Sequence, residues 1–155
     1  RKKQLNSSLM MFFTGFTRFS AEVQQYNNSH CGTDKTALLR EMLALVDDAE
    51  AILTSEQTDL DEFGRLLDHT WRLKRRTGAA VSTDCIDELY AKGLEAGALG
   101  GKLLGAGGGG FLVFYVRPEY QAAVHEAMKD LLYIPFHFEN GGTQVIYYAP
   151  EEETL

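Results

Sequence analysis

Cysteine is scarce. Cys31 and Cys85 are the only two, and neither sits in C-x-x-C spacing, which excludes a disulfide-stapled scaffold and predicts a reduced, cytoplasmic setting. Positive charge is short as well: 15 Lys and Arg against 22 Asp and Glu leave a formal net charge of −7. That excludes a general nucleic-acid or anionic-membrane surface, since both partners select clustered cations. His30, His69, His125 and His137 are scattered, so no metal-ligand constellation is visible. The basic start ahead of Leu9–Phe13 imitates a signal peptide, yet Thr14-Gly15 and Arg18 interrupt it and no small-residue cleavage site follows. The beginning reads as a cut within a longer polypeptide.

What the chain has in excess is glycine in one place. Gly100 to Phe111, GGKLLGAGGGGF, holds seven glycines and no charge after Lys102. Each glycine loses more backbone freedom on folding than any other residue, so the stretch must need bare backbone that a phosphate or a neighbouring segment can approach. Gly105, Gly107 and Gly110 satisfy G-x-G-x-x-G literally. A dinucleotide fingerprint, however, follows a strand and opens a helix. Here a helix-spaced segment (Ile86, Leu89, Tyr90, Gly93, Leu94, Gly97) precedes, and the apolar run Phe111–Val116 reads as a strand after it. A Walker loop fails too, because Ala96 and Leu103 stand where its first glycine and its Ser/Thr belong. A ligand-free turn is the bland alternative.

Along the chain, Leu9–Phe13 reads as a central strand and Ser20–Tyr26 as a short helix. A long helix from Thr33 carries Leu39, Met42, Leu45, Val46, Ala49, Ile52 and Leu53 on one stripe. A second starts near Thr58 or Asp59 with Leu60, Phe63, Leu67, Thr70 and Trp71 inward, and its spacing places Lys74 on the same side. Ser82 or Thr83 caps a third. Pro118 opens a fourth, followed by a strand from Tyr133 to Phe138 and a hairpin into Gln144–Tyr148. This order predicts one α+β domain with a four-stranded, mostly antiparallel sheet and helices mainly on one face.

Helix, GGKLLGAGGGG, then an apolar strand resembles the third signature of the GHMP kinases. LMMFFTGFTR (9–18), HTWRLKR (69–75) and IPFHFENGGTQVIYY (134–148) narrow the likeness to the heptose 7-phosphate kinases and related sugar kinases. The resemblance covers nearly the whole chain and implies a ferredoxin-like C-terminal domain, residues 1–155, of an ATP-dependent sugar-phosphate kinase. Its reaction would move the γ-phosphate to a sugar hydroxyl, most specifically the anomeric one of heptose 7-phosphate. The family's P-x-x-x-G-L-G-S-S phosphate loop and its base belong to an N-terminal domain that this sequence lacks. ATP and Mg²⁺ would therefore be held mainly there, and that domain and a small sugar phosphate are the implied partners. A fucokinase- or galactokinase-like activity, a stand-alone ligand-binding module and a purely structural domain remain open.

The resemblance assigns the loop Gly105, Ala106, Gly107, Gly108, Gly109 and Gly110 to phosphate binding, and no catalytic residue or metal ligand to this chain. Arg18, after a strand end, and Lys74, within an apolar stripe, are the candidates for gripping a substrate phosphate. Lys74 can instead snorkel to water. Lys102 reads as a helix-end cation, and Arg72, Arg75 and Arg76 as a solvated basic helix end. Asp68 and His69 receive no catalytic role.

Overall fold

The computed structural model describes residues 1–15 and 33–147. Arg18, the Ser20–Tyr26 helix and Cys31 lie outside the described residues. The elements are α1 (Lys2–Ser8), β1 (Leu9–Phe13), α2 (Thr33–Thr54), α3 (Asp61–Arg76), α4 (Asp84–Glu95), β2 (Ala98–Leu103), β3 (Phe111–Val116), a 3₁₀ turn (Pro118–Tyr120), α5 (Gln121–Ala127) and β4 (Leu132–Tyr133). The strands form one sheet in the order β2-β3-β1-β4, every pairing antiparallel. With α2, α3 and α4 between β1 and β2 and α5 between β3 and β4, this is the expected ferredoxin-like α+β arrangement.

Alternation along β1 and β3 sorts the core into two clusters. Phe12, Leu112, Phe114 and Val116 join Ile86 and Tyr90 of α4 and Val124 of α5, while Tyr115 joins Leu60, Phe63 and Leu67 beside α3 and Ile52 and Leu53 of α2. Side chains such as Phe12, Leu112, Phe114 and Val116, at most 1% exposed, each stabilise the fold by about 1.5–3 kcal/mol. The start of α4 follows its sequence signal, the Thr83 hydroxyl accepting the Ile86 N–H with Asp84 and Asp87 in the first turn, whereas α3 starts at Asp61 behind Leu60 with no side-chain cap.

Three expectations change. The segment 98–103 is a strand paired antiparallel with β3, not a helix end, and α3 presses on it so closely that a Cβ at Gly100 would lie 2.0 Å from the Gly64 carbonyl oxygen. The hairpin of the sheet is therefore β2–β3, closed by the glycine loop. Among the described residues the expected hairpin of 133–138 with 144–148 is not found: pairing with β1 ends at Tyr133 apart from one bond from the Ile134 N–H to the Met11 carbonyl, since Pro135 has no N–H to continue the ladder. Val145, Ile146 and Tyr147 stay 82–96% exposed. On α2 the inward line runs through Leu38, Met42, Leu45, Ala49, Ile52 and Leu53, leaving Leu39 and Val46 half or more exposed.

Candidate functional site: a glycine hairpin beside two lysines

The glycine loop hangs at the end of β2 and β3, and three separate segments hold it. At its base the Leu104 N–H donates to the Phe111 carbonyl (2.8 Å). From the end of β1, the Thr14 N–H and hydroxyl both donate to the Gly110 carbonyl (2.9 Å each), and the Gly110 N–H donates to the Thr14 hydroxyl (3.2 Å). From the α3–α4 connection, the Val81 carbonyl accepts the Gly108 N–H (3.0 Å). Gly107, at φ +116°, packs so tightly there that a Cβ would lie 2.7 Å from Val81. From the last turns of α3, the Lys74 ammonium donates to the Gly105 carbonyl (2.5 Å).

Gly105, Gly107, Gly108 and Gly110 all have positive φ, and among the described residues no other residue type does. The loop's path is thus one that side-chain-bearing residues avoid. Gly107 and Gly108 are buried, Ala106, Gly109 and Gly110 half-buried, and Gly105 exposed. The loop follows a strand but enters a strand, so the exclusion of a dinucleotide fingerprint stands on different grounds from those expected.

Lys102 is the correction with most chemical weight. It is not a helix-end cation but a mid-strand residue of β2, paired with Val113. Lys102 and Lys74 are both half-buried. Burial, and then the charge of Lys102, hold Lys74 below the usual lysine range, and burial alone pulls Lys102 down. Lys74 has a carbonyl partner, and among the described residues Lys102 has no hydrogen-bond or ion-pair partner.

Neighbouring charges are matched. Asp68 accepts from the Tyr90 hydroxyl and from Arg72 Nε, both at 2.8 Å. Arg75 meets Asp87 at 3.0 Å and stacks over the ring of fully buried Trp71, 5.9 Å from its centroid. A 530 Å³ cleft lined by Arg72, Arg75, Arg76, Asp84 and Asp87 holds both signs of charge. His69 Nε2 lies 3.5 Å from Glu41 at the surface. No group of three or more His, Cys, Asp or Glu side chains able to hold a metal occurs among the described residues. Nor is any described helix long and apolar enough to cross a membrane.

The structure brings together the loop and Lys74, which the sequence offers as separate candidates, and adds Thr14, Val81 and the strand position of Lys102, which sequence reasoning misses. Thr14 had a signal, one residue past the end of a central strand; Val81 had none.

The GHMP kinases C terminal family model matches residues 47–134, and the chain belongs to that family. Among curated proteins, it is 28% identical over 130 residues to D-glycero-alpha-D-manno-heptose 7-phosphate kinase of Campylobacter jejuni, covering 81% of this chain and 37% of that one. It is 38% identical over 95 residues to mevalonate kinase of Pyrococcus horikoshii, covering 59% of this chain and 28% of that one. Of solved structures, Methanococcus jannaschii mevalonate kinase superposes with TM-score 0.71 at 21% identity, covering 85% of this chain and 40% of that one. A D-glycero-D-manno-heptose 1-phosphate kinase from Bacteroides thetaiotaomicron gives 0.55 at 23%, covering 88% and 34%. The chain spans less than half the length of these relatives.

Proposed function

We propose that the chain is the C-terminal, substrate-side part of an ATP-dependent sugar-phosphate kinase that transfers a γ-phosphate to a sugar hydroxyl, with the anomeric hydroxyl of D-glycero-D-manno-heptose 7-phosphate as the acceptor. The observation that carries this reading is the pairing of an ordered glycine hairpin with two half-buried lysines that no carboxylate among the described residues neutralises. Phosphoryl transfer asks a protein chiefly for positioning and for fixed positive potential. The 130-residue likeness to a heptose-phosphate kinase favours a sugar phosphate over mevalonate. ATP and Mg²⁺ would sit mainly on an N-terminal kinase domain packed against this one. Within this chain the loop 105–110 would support the transferring phosphate, and Lys74 and Arg18 would grip the substrate.

The test is ATP consumption with heptose 7-phosphate, galactose, fucose, homoserine and mevalonate, using this chain alone and joined to the N-terminal domain. The chain alone should be inactive, and the joined enzyme should turn over heptose 7-phosphate at about 1–100 s⁻¹. Turnover by the chain alone, or a preference for mevalonate, overturns the reading. Arg18→Lys should lower kcat/KM for the phosphosugar about ten- to a hundredfold, the cost of a lost charged hydrogen bond, with KM for ATP unchanged.

A further inference from the structure

We propose that Lys102 forms, with Lys74, a two-ammonium seat for a dianionic phosphate monoester at the mouth of the glycine hairpin, a role that rests on the kinase reading above. Helix α3 runs along β2 in the same direction. Gly64 and Asp68 lie against Gly100, and Lys74 reaches Gly105. Lys102, two residues beyond Gly100, is therefore under the last turns of α3. Its register confirms the side: Gly100 pairs with Tyr115 and Lys102 with Val113, so both belong to the face on which Tyr115 meets Leu60 and Phe63.

Two like charges placed together and partly desolvated are unfavourable unless an anion completes them. Among the described residues no carboxylate supplies that anion. Asp68, the carboxylate against Gly100, is already bound by Tyr90 and Arg72. The exposed loop residue at this mouth is Gly105, whose added Cβ would meet nothing within 4 Å, which leaves room for a ligand oxygen beside the ammonium that now rests on the Gly105 carbonyl. A lysine donates three N–H bonds, so Lys74 can keep the carbonyl while binding phosphate.

The decisive measurement is an NMR titration of the lysine side-chain resonances of this chain with inorganic phosphate, and with acetate as the monoanion control, at low ionic strength. Phosphate should move Lys74 and Lys102 together with one dissociation constant, and acetate should move them weakly. Lys102→Met should weaken phosphate about tenfold or more, and Lys102→Arg should retain most of the affinity. An amide spectrum of Lys102→Met that matches the parent establishes that the fold is kept. A silent Lys102 resonance, or an unchanged constant in Lys102→Met, overturns the proposal. In the joined enzyme, a raised KM for the phosphosugar would assign the seat to the substrate's own phosphate, and a raised KM for ATP to the transferring one. Unchanged kinetics in Lys102→Met sinks the seat and leaves the kinase reading intact. An inactive joined enzyme whose two lysines still respond to phosphate sinks the kinase reading and leaves the seat.

Discussion

Helix α3 treats charge oppositely at its two ends. At the first turn Asp61, 5% exposed, receives Nε of Arg117 at 2.6 Å and a second guanidinium nitrogen. At the last turns Lys74 rests on the Gly105 carbonyl, Lys102 follows on β2, and neither ammonium has a carboxylate partner among the described residues. The first end is built to be complete within the protein. The second has no such partner among the described residues, and that difference is the ground of the phosphate-seat proposal.

The largest effect should come from breaking the frame both ends share. Gly100→Ala drives a methyl onto the Gly64 carbonyl, so α3 must lift off β2; chemical denaturation should show a loss of about 3 kcal/mol or failure to fold. Next, Arg117→Met should destabilise by a smaller amount in the same measurement, because it leaves the buried Asp61 carboxylate without its guanidinium partner. A neutral result would mean that this end is as dispensable as a surface ion pair.

Between the two ends, Tyr90→Phe removes the hydroxyl that donates to Asp68 and should cost about 1–2 kcal/mol near neutral pH. Burial and the Asp68 bond raise the Tyr90 pKa far above 10.0. Above that pH the unfolded chain loses the proton while the folded one keeps it, so the parent's stability falls as pH rises. The variant lacks this loss. The gap between the two proteins should narrow above about pH 10 in thermal melts, and a constant gap would contradict the assignment. The smallest effect has the opposite sign. Lys102→Met removes a charge that the fold disfavours and should raise the melting temperature by about 2–4 °C, equivalent to ~1 kcal/mol. The same type of substitution would then destabilise one end of α3 and stabilise the other. A lowered melting temperature would make Lys102 structural.

Much of this was legible beforehand where the cause is local. The α4 cap, the α3 stripe through Trp71 and the glycine cluster all carry their signal within a few residues. Lys74 emerged because a cation interrupting an apolar stripe is visible at helical spacing. The strand β2 did not, since glycine has low strand propensity and the contact with α3 comes from about 35 residues earlier in sequence. Misreading β2 as the end of a helix also misplaced Lys102. Conversely, the alternation in 144–148 promised a strand, but described residues 144–147 pair with none. Arg18 lies outside the described residues and stays a proposal from sequence.

The bonds to Thr14, Val81 and Lys74 also have an entropic meaning. Ordering a residue's backbone costs about 1–2 kcal/mol, and glycines lose the most. Because the three anchors belong to the folded domain, that ordering is completed during folding and not at the moment of ligand capture. A phosphate bound there as proposed would meet a loop whose freedom is already gone, so its affinity would not be reduced by having to arrange the glycines itself.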